Sequence, residues 1–179
     1  MSYQDILRDT LTALQFDADG INQIMSNSDS VTYGIITTIL AGVASGIGSL
    51  SIISVFLSPI GFLLGAAINA GILHLLAKLF GGQGSFRDFF AVVSNAQLLL
   101  WLTIVPLIGP FLIAPLASLY LIAFTIFAIK TVYSLSVVKS ILVFIIPFII
   151  VGVIMGLLLI IFGSLLIGSL GLGALAAGA

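Results

Sequence analysis

The residues best able to do chemistry gather in one stretch, HLLAKLFGGQGSFRDFF (74–90), which sets His74, Lys78, three glycines, Arg87 and Asp88 between apolar runs. A glycine-rich loop ahead of a helix can cradle phosphate with its backbone N–H groups. The nucleotide-binding form needs GxxxxGK[ST], whose lysine reaches the phosphates. GGQGSFRD has no such lysine, and an apolar helix precedes it where a dinucleotide fingerprint would follow a strand. The loop therefore reads as a turn between two helices. Gly81 can close the first by taking the left-handed conformation. Ser85 can cap the second, with Asp88 in the capping-box position three residues on. Lys78 and Arg87, together with Lys130 and Lys139, are candidate contacts for lipid headgroups or for a protein partner.

Other chemistry lacks its parts. His74 is the only histidine, and the chain has no cysteine and no glutamate. A zinc centre needs three or four such ligands, so no metal, catalytic or cofactor residue is expected. Asp88 is the one carboxylate beyond residue 30, which leaves a Ser–His–acid set without its acid. Proton relays and cation pathways inside membranes also use carboxylates. Five polar side chains remain within apolar surroundings: Asn69, His74, Asn95, Gln97 and Tyr120. They would line the lumen of a permease or channel, or they would bond neighbouring helices.

The elements that position these residues follow from composition. The 179 residues are 61% hydrophobic and 6% charged, against about a quarter charged in a soluble domain. So few charges cannot cover a water-facing surface, and the chain is an integral membrane protein. Its fold class is all-α and polytopic. MSYQDILRDT is polar and acidic, unlike a cleavable signal, so the first membrane helix is expected to serve as the targeting signal. A span needs about 20 apolar residues. Five are expected, at about 31–53, 59–80, 86–107, 110–132 and 138–162. Ser58-Pro59 is expected to start the second, since Ser caps helices and Pro suits the first helical position. Residues 1–30 form an amphipathic segment with Tyr3, Ile6, Leu7, Leu11 and Leu14 at helical spacing. The chain thus divides into that segment, a membrane domain over 31–162 and a glycine-rich apolar tail over 163–179. A sixth span in the tail stays open.

Charge sets the orientation. All five basic residues (Arg8, Lys78, Arg87, Lys130 and Lys139) fall on one side of a five-span layout, and the turns near 54–58 and 108–110 carry none. The positive-inside rule places the N-terminus in the cytoplasm. The first 30 residues hold five aspartates and one arginine, which disfavours anionic lipid. Glycine pairs four apart let helices approach closely: Gly42 and Gly46, Gly61 and Gly65, and Gly152 and Gly156 are the expected packing positions, within the chain or between copies.

Residues 74–96, HLLAKLFGGQGSFRDFFAVVSNA, and 129–148, IKTVYSLSVVKSILVFIIPF, resemble the Yip1 domain family over roughly residues 35–160. The shared features are the Gly81-Gly82 turn, the Gly84-Ser85-Phe86 entry to the third span, and Tyr133, Ser136 and Lys139 before a span that holds Pro147. The Asp-Leu-Tyr-Gly-Pro motif of eukaryotic members is absent, and Thr32-Tyr33-Gly34-Ile35 keeps only Tyr-Gly, which points to a prokaryotic member. The resemblance implies five membrane helices and a cytoplasmic N-terminus. It implies a role in organising membrane or recruiting partners, as eukaryotic relatives do in vesicle traffic. Small GTPases enter as partners through the resemblance alone. The other expected partners are the bilayer, further copies of the chain or other membrane proteins, and no nucleic acid. The membrane would be the plasma membrane of a prokaryote, or ER and Golgi in a eukaryote. A permease or channel, or an accessory subunit of a larger membrane complex, is the alternative.

Overall fold

The structure is a computed structural model that describes the backbone of residues 2–177 and the side chains of residues 2–160 and 162. It divides into two compact units, residues 1–144 and 145–179. Among the described residues every element is helical.

Helix α1 (Tyr3–Leu14) starts on a capping box in which Ser2 and Asp5 satisfy each other's backbone N–H groups, and α2 (Ala18–Ser26) starts on Asp17. The amphipathic segment is therefore a helical pair, packed on the bundle. Ile6, Ala13, Ile21 and Ile24 are fully buried and join a core with Phe89, Phe124 and Tyr133. Burying one isoleucine in this way stabilises by about 2 kcal/mol. The buried face is rotated from the one the spacing suggests. Leu11 is 53% exposed, while Asp9 and Thr10 turn inward. The cause is Gly20, where an added Cβ would strike the Ala13 backbone and the Asp9 carbonyl. The α2 backbone sits directly on that side of α1 and turns it inward. At its ends α1 reaches two membrane helices: Tyr3 Oη lies 3.0 Å from Thr37 Oγ1, and Tyr120 Oη donates to the Leu14 carbonyl.

Helices α3 (Ser30–Gly48) and α4 (Ile52–Leu79) form a tight hairpin. Its turn lies at residues 49–51 rather than at Ser58-Pro59. Leu50 reverses the chain at a φ of 53°, and the Ser51 side chain accepts from the Ser54 N–H at 3.2 Å. Pro59 sits inside α4, where it removes one helical hydrogen bond. Close packing offsets that loss. An added Cβ at Gly42 would lie 2.5 Å from Pro59 Cα, and one at Gly46 would lie 2.5 Å from Val55 Cα. The two backbones touch along this stretch, and the proline is clasped within a continuous helix.

The third expected span is not one helix. Helix α5 (Phe86–Ala96) passes into a 3₁₀ helix, Gln97–Ile104. Runs of 3₁₀ beyond three or four residues are uncommon, but each residue rises about 2.0 Å against 1.5 Å in an α-helix. The composite therefore reaches about 33 Å, enough for a hydrocarbon core of about 30 Å. It runs parallel to α3. Arg87 at its start bonds the Asn27 and Ser28 carbonyls, and Thr103 near its end packs on Gly48. Between them Trp101 Nε1 donates to the Thr37 carbonyl at 3.0 Å. The segment stops before Pro106, which forces Val105 into extended backbone (ψ 115°).

After one π-helical turn (Gly109–Ile113) helix α6 (Ala114–Tyr133) returns, and α7 (Val137–Ala177) follows. Four stretches are long and apolar enough to cross a membrane: Ser30–Gly48, Ile52–Leu79, Gly109–Tyr133 and Val137–Ile160. Among the described residues the uninterrupted spans number four, and the composite α5–3₁₀ segment stands where the third of the five was expected. The backbone of α7 continues through Ala177. How the tail's side chains pack lies outside the described residues.

Candidate functional site

At the GGQGS turn the first three backbone N–H groups are bonded within the protein. Gly81 takes a φ of 88°, its N–H bonds the Lys78 carbonyl, and the Gly82 N–H bonds the Ala77 carbonyl at 2.8 Å. This pair of bonds closes α4 as a Schellman cap. Ser85 accepts from the Asp88 N–H and donates to the Asp88 carboxylate at 2.6 Å, which opens α5. The Gln83 N–H bonds the Tyr133 carbonyl at 3.2 Å, so the loop is tied to the end of α6 and the N–H groups of residues 81–83 are not open to a phosphate.

Two of the four candidate cations are tied to this turn. Lys78 Nζ donates to the Gln83 carbonyl at 3.4 Å, and Lys139 Nζ donates to the Phe80 carbonyl at 3.1 Å. Both place positive charge at the C-terminal end of α4, where the helix dipole favours it. Arg87 pairs with Asp88 at 3.2 Å and holds the α2–α3 linker through its two carbonyl bonds. Lys130 is exposed near the end of α6.

The five polar candidates do not share one path. His74 Nδ1 lies 2.7 Å from the buried Tyr133 hydroxyl, with Phe86 edge-on to its ring. Asn95 Nδ2 donates to the Ser30 and Ala91 carbonyls, both at 2.8 Å. Tyr120 is held by Leu14. Each of these three joins one element to another. Only Asn69 and Gln97 come together, in a cavity of ≈ 220 Å³ among α4, α5 and α6 that Gly65, Val93, Phe124 and Thr125 also line. Gly61 and Gly65 have open space at the Cβ position, as do Gly152 and Gly156 in the second unit, among the described residues.

A further cluster lies in the N-terminal helices. Asp5, Arg8, Asp9, Asp17, Asp19 and Gln23 line a cleft on the side of α1–α2 away from the core. Asp9 is 7% exposed, and its Oδ2 is buried without a partner among the described residues. Burial, then the Asp5 carboxylate, push its pKa above the ordinary value, against the pull of Arg8. The sequence shows the aspartates but not that Asp9 turns inward, because that follows from the rotation of α1. No group of three or more metal-ligating side chains occurs among the described residues.

Apolar helices of spanning length, with Ile52, Leu79 and Phe111 about four-fifths exposed, define an all-α polytopic membrane protein. The Yip1 domain profile matches residues 19–160. The chain belongs to the Yip1 domain family, and the match takes in α2, which lies outside the stretch that carries the resemblance in sequence. No curated protein and no solved structure matches it.

Proposed function

We propose that this protein is a non-enzymatic organiser of membrane or membrane partners, with its N-terminus in the cytoplasm. The observation that carries this reading is the α1–α2 layer. Three fully buried isoleucines fix it to the bundle, and Asp5, Asp17 and Asp19 stand exposed around one cleft. A pre-ordered charged platform avoids much of the ordering cost of binding a partner. A small GTPase is one partner class, suggested by family membership. The polar residues support the same reading, since His74, Asn95 and Tyr120 are spent on links between elements and line no continuous polar path among the described residues.

The test has two arms. A photocrosslinking residue at Thr12 or Gln23, in native membranes, should capture a protein partner, and reversal of Asp5 and Asp17 to lysine should abolish the capture. The purified chain in liposomes should pass no solute. Specific flux that disappears in Asn69→Leu would establish the permease reading instead.

A further inference from the structure

The cavity between α4, α5 and α6 has a property that helix packing does not use. The buried carbonyl oxygen of Gln97, Oε1, has no hydrogen-bond partner among the described residues. An unpaired polar atom in an apolar interior is costly, and the cost is greater in hydrocarbon because no water supplies the bond. Asn69 stands exposed at the mouth of the same cavity. The depth is informative. Asn69 lies ten residues from the end of α4, and Gln97 follows the last residue of the 11-residue α5. At about 1.5 Å per residue both sit about 15 Å from the GGQGS end, near mid-membrane. Gly65 at the mouth leaves the entrance wide, since nothing stands within 4 Å of where its Cβ would be.

We propose that this cavity binds the polar end of a neutral lipid that carries a free hydroxyl group. Four observations select that class. No charged side chain lines the cavity, and a charged headgroup is expensive at this depth. The Asn69 amide at the mouth can both donate and accept, and a hydroxyl meets both roles. The walls formed by Val93, Leu121 and Phe124 suit the apolar body beside the hydroxyl. The mouth opens at exposed residues of α4, a helix apolar along its spanning length, so entry is from the bilayer. A volume of ≈ 220 Å³ holds about seven waters' worth of liquid, which is room for a headgroup and its first carbons while the chains stay in lipid.

The test uses the full chain in phosphatidylcholine vesicles with a diazirine-bearing diacylglycerol, and in parallel the methyl ether of the same probe. The ether keeps the shape and loses the donor. Labelling is expected at 65–69, 93–97 and 121–125, and about tenfold weaker with the ether, the factor of one buried hydrogen bond. Gly65→Leu fills the entrance without striking backbone and should abolish labelling. Asn69→Leu should remove the preference for the free hydroxyl. Gly61→Leu, one turn away on the same open face and outside the cavity, should label like the native chain, which also shows that substitution on this face leaves the fold intact. Equal labelling by the two probes, or labelling that survives Gly65→Leu, overturns the proposal. So does crosslinking between two copies at Asn69 that Gly61→Leu abolishes, because the occupant would then be a second chain.

Discussion

Asp9 shows how a single residue carries a cost for the sake of its position. The Gly20 contact turns it inward, and desolvation followed by the neighbouring Asp5 raises its pKa from the ordinary 3.8. A carboxyl whose pKa is higher folded than unfolded is protonated more readily in the folded chain. Stability therefore falls as pH rises from the unfolded value through the folded one, and the full penalty stands above it. Asp9→Asn should raise the thermal midpoint at neutral pH and flatten the acid side of the stability–pH curve. Thermal scans in detergent across pH check this, and an unchanged curve would show that the Asp9 carboxylate is solvated. At this scale the sequence was informative where chemistry is local. Gly81 and Ser85 play the cap roles that their types suggest, because such bonds join residues two to five apart. The partners of His74 and Asn95 were out of reach, since Tyr133 and Ser30 lie 59 and 65 residues away.

At the scale of elements, three features depart from the periodicity. The first hairpin turns at 49–51, α4 swallows Pro59, and the third span changes from α to 3₁₀ winding. Each is a tertiary effect. Proline is a breaker on its own, but Gly42 and Gly46 let α3 lie against it and repay the lost bond in contact. The 3₁₀ stretch has no propensity signal, and its extra rise of about 4 Å over eight residues brings Thr103 to Gly48. Glycine pairs thus differ in kind. Gly42→Leu would drive a side chain into the Pro59 backbone, and it should destabilise by about 3 kcal/mol or more. Gly61→Leu enters open space, and its effect should stay within about 0.5 kcal/mol. Denaturation midpoints of the two variants in one detergent compare them directly. Similar losses would mean that α4 packs by a different face.

For the molecule as a whole, the layout of charge and the helical class were readable from composition, because a membrane restricts spanning chains to a few solutions. The basic residues gather where α4 ends, α5 starts and α6 ends, and α1–α2 is packed against α5 and α6. What composition could not reveal was that the arm is part of the core. That depends on Ile6, Ile21 and Ile24 meeting Phe89 and Phe124 across the chain. In the proposed orientation this platform lies in the cytoplasm and the α5–3₁₀ segment crosses the bilayer despite its interruption. The chain has no cysteine, so single cysteines report cleanly. The direct measurement is labelling of Thr12→Cys, Gln83→Cys and Leu107→Cys by an impermeant maleimide in sealed, right-side-out vesicles. Position 107 should label from outside, and positions 12 and 83 only after the membrane is opened. Labelling of 83 or 12 from outside would contradict the orientation, and protection of 107 together with 83 would contradict the crossing by the α5–3₁₀ segment.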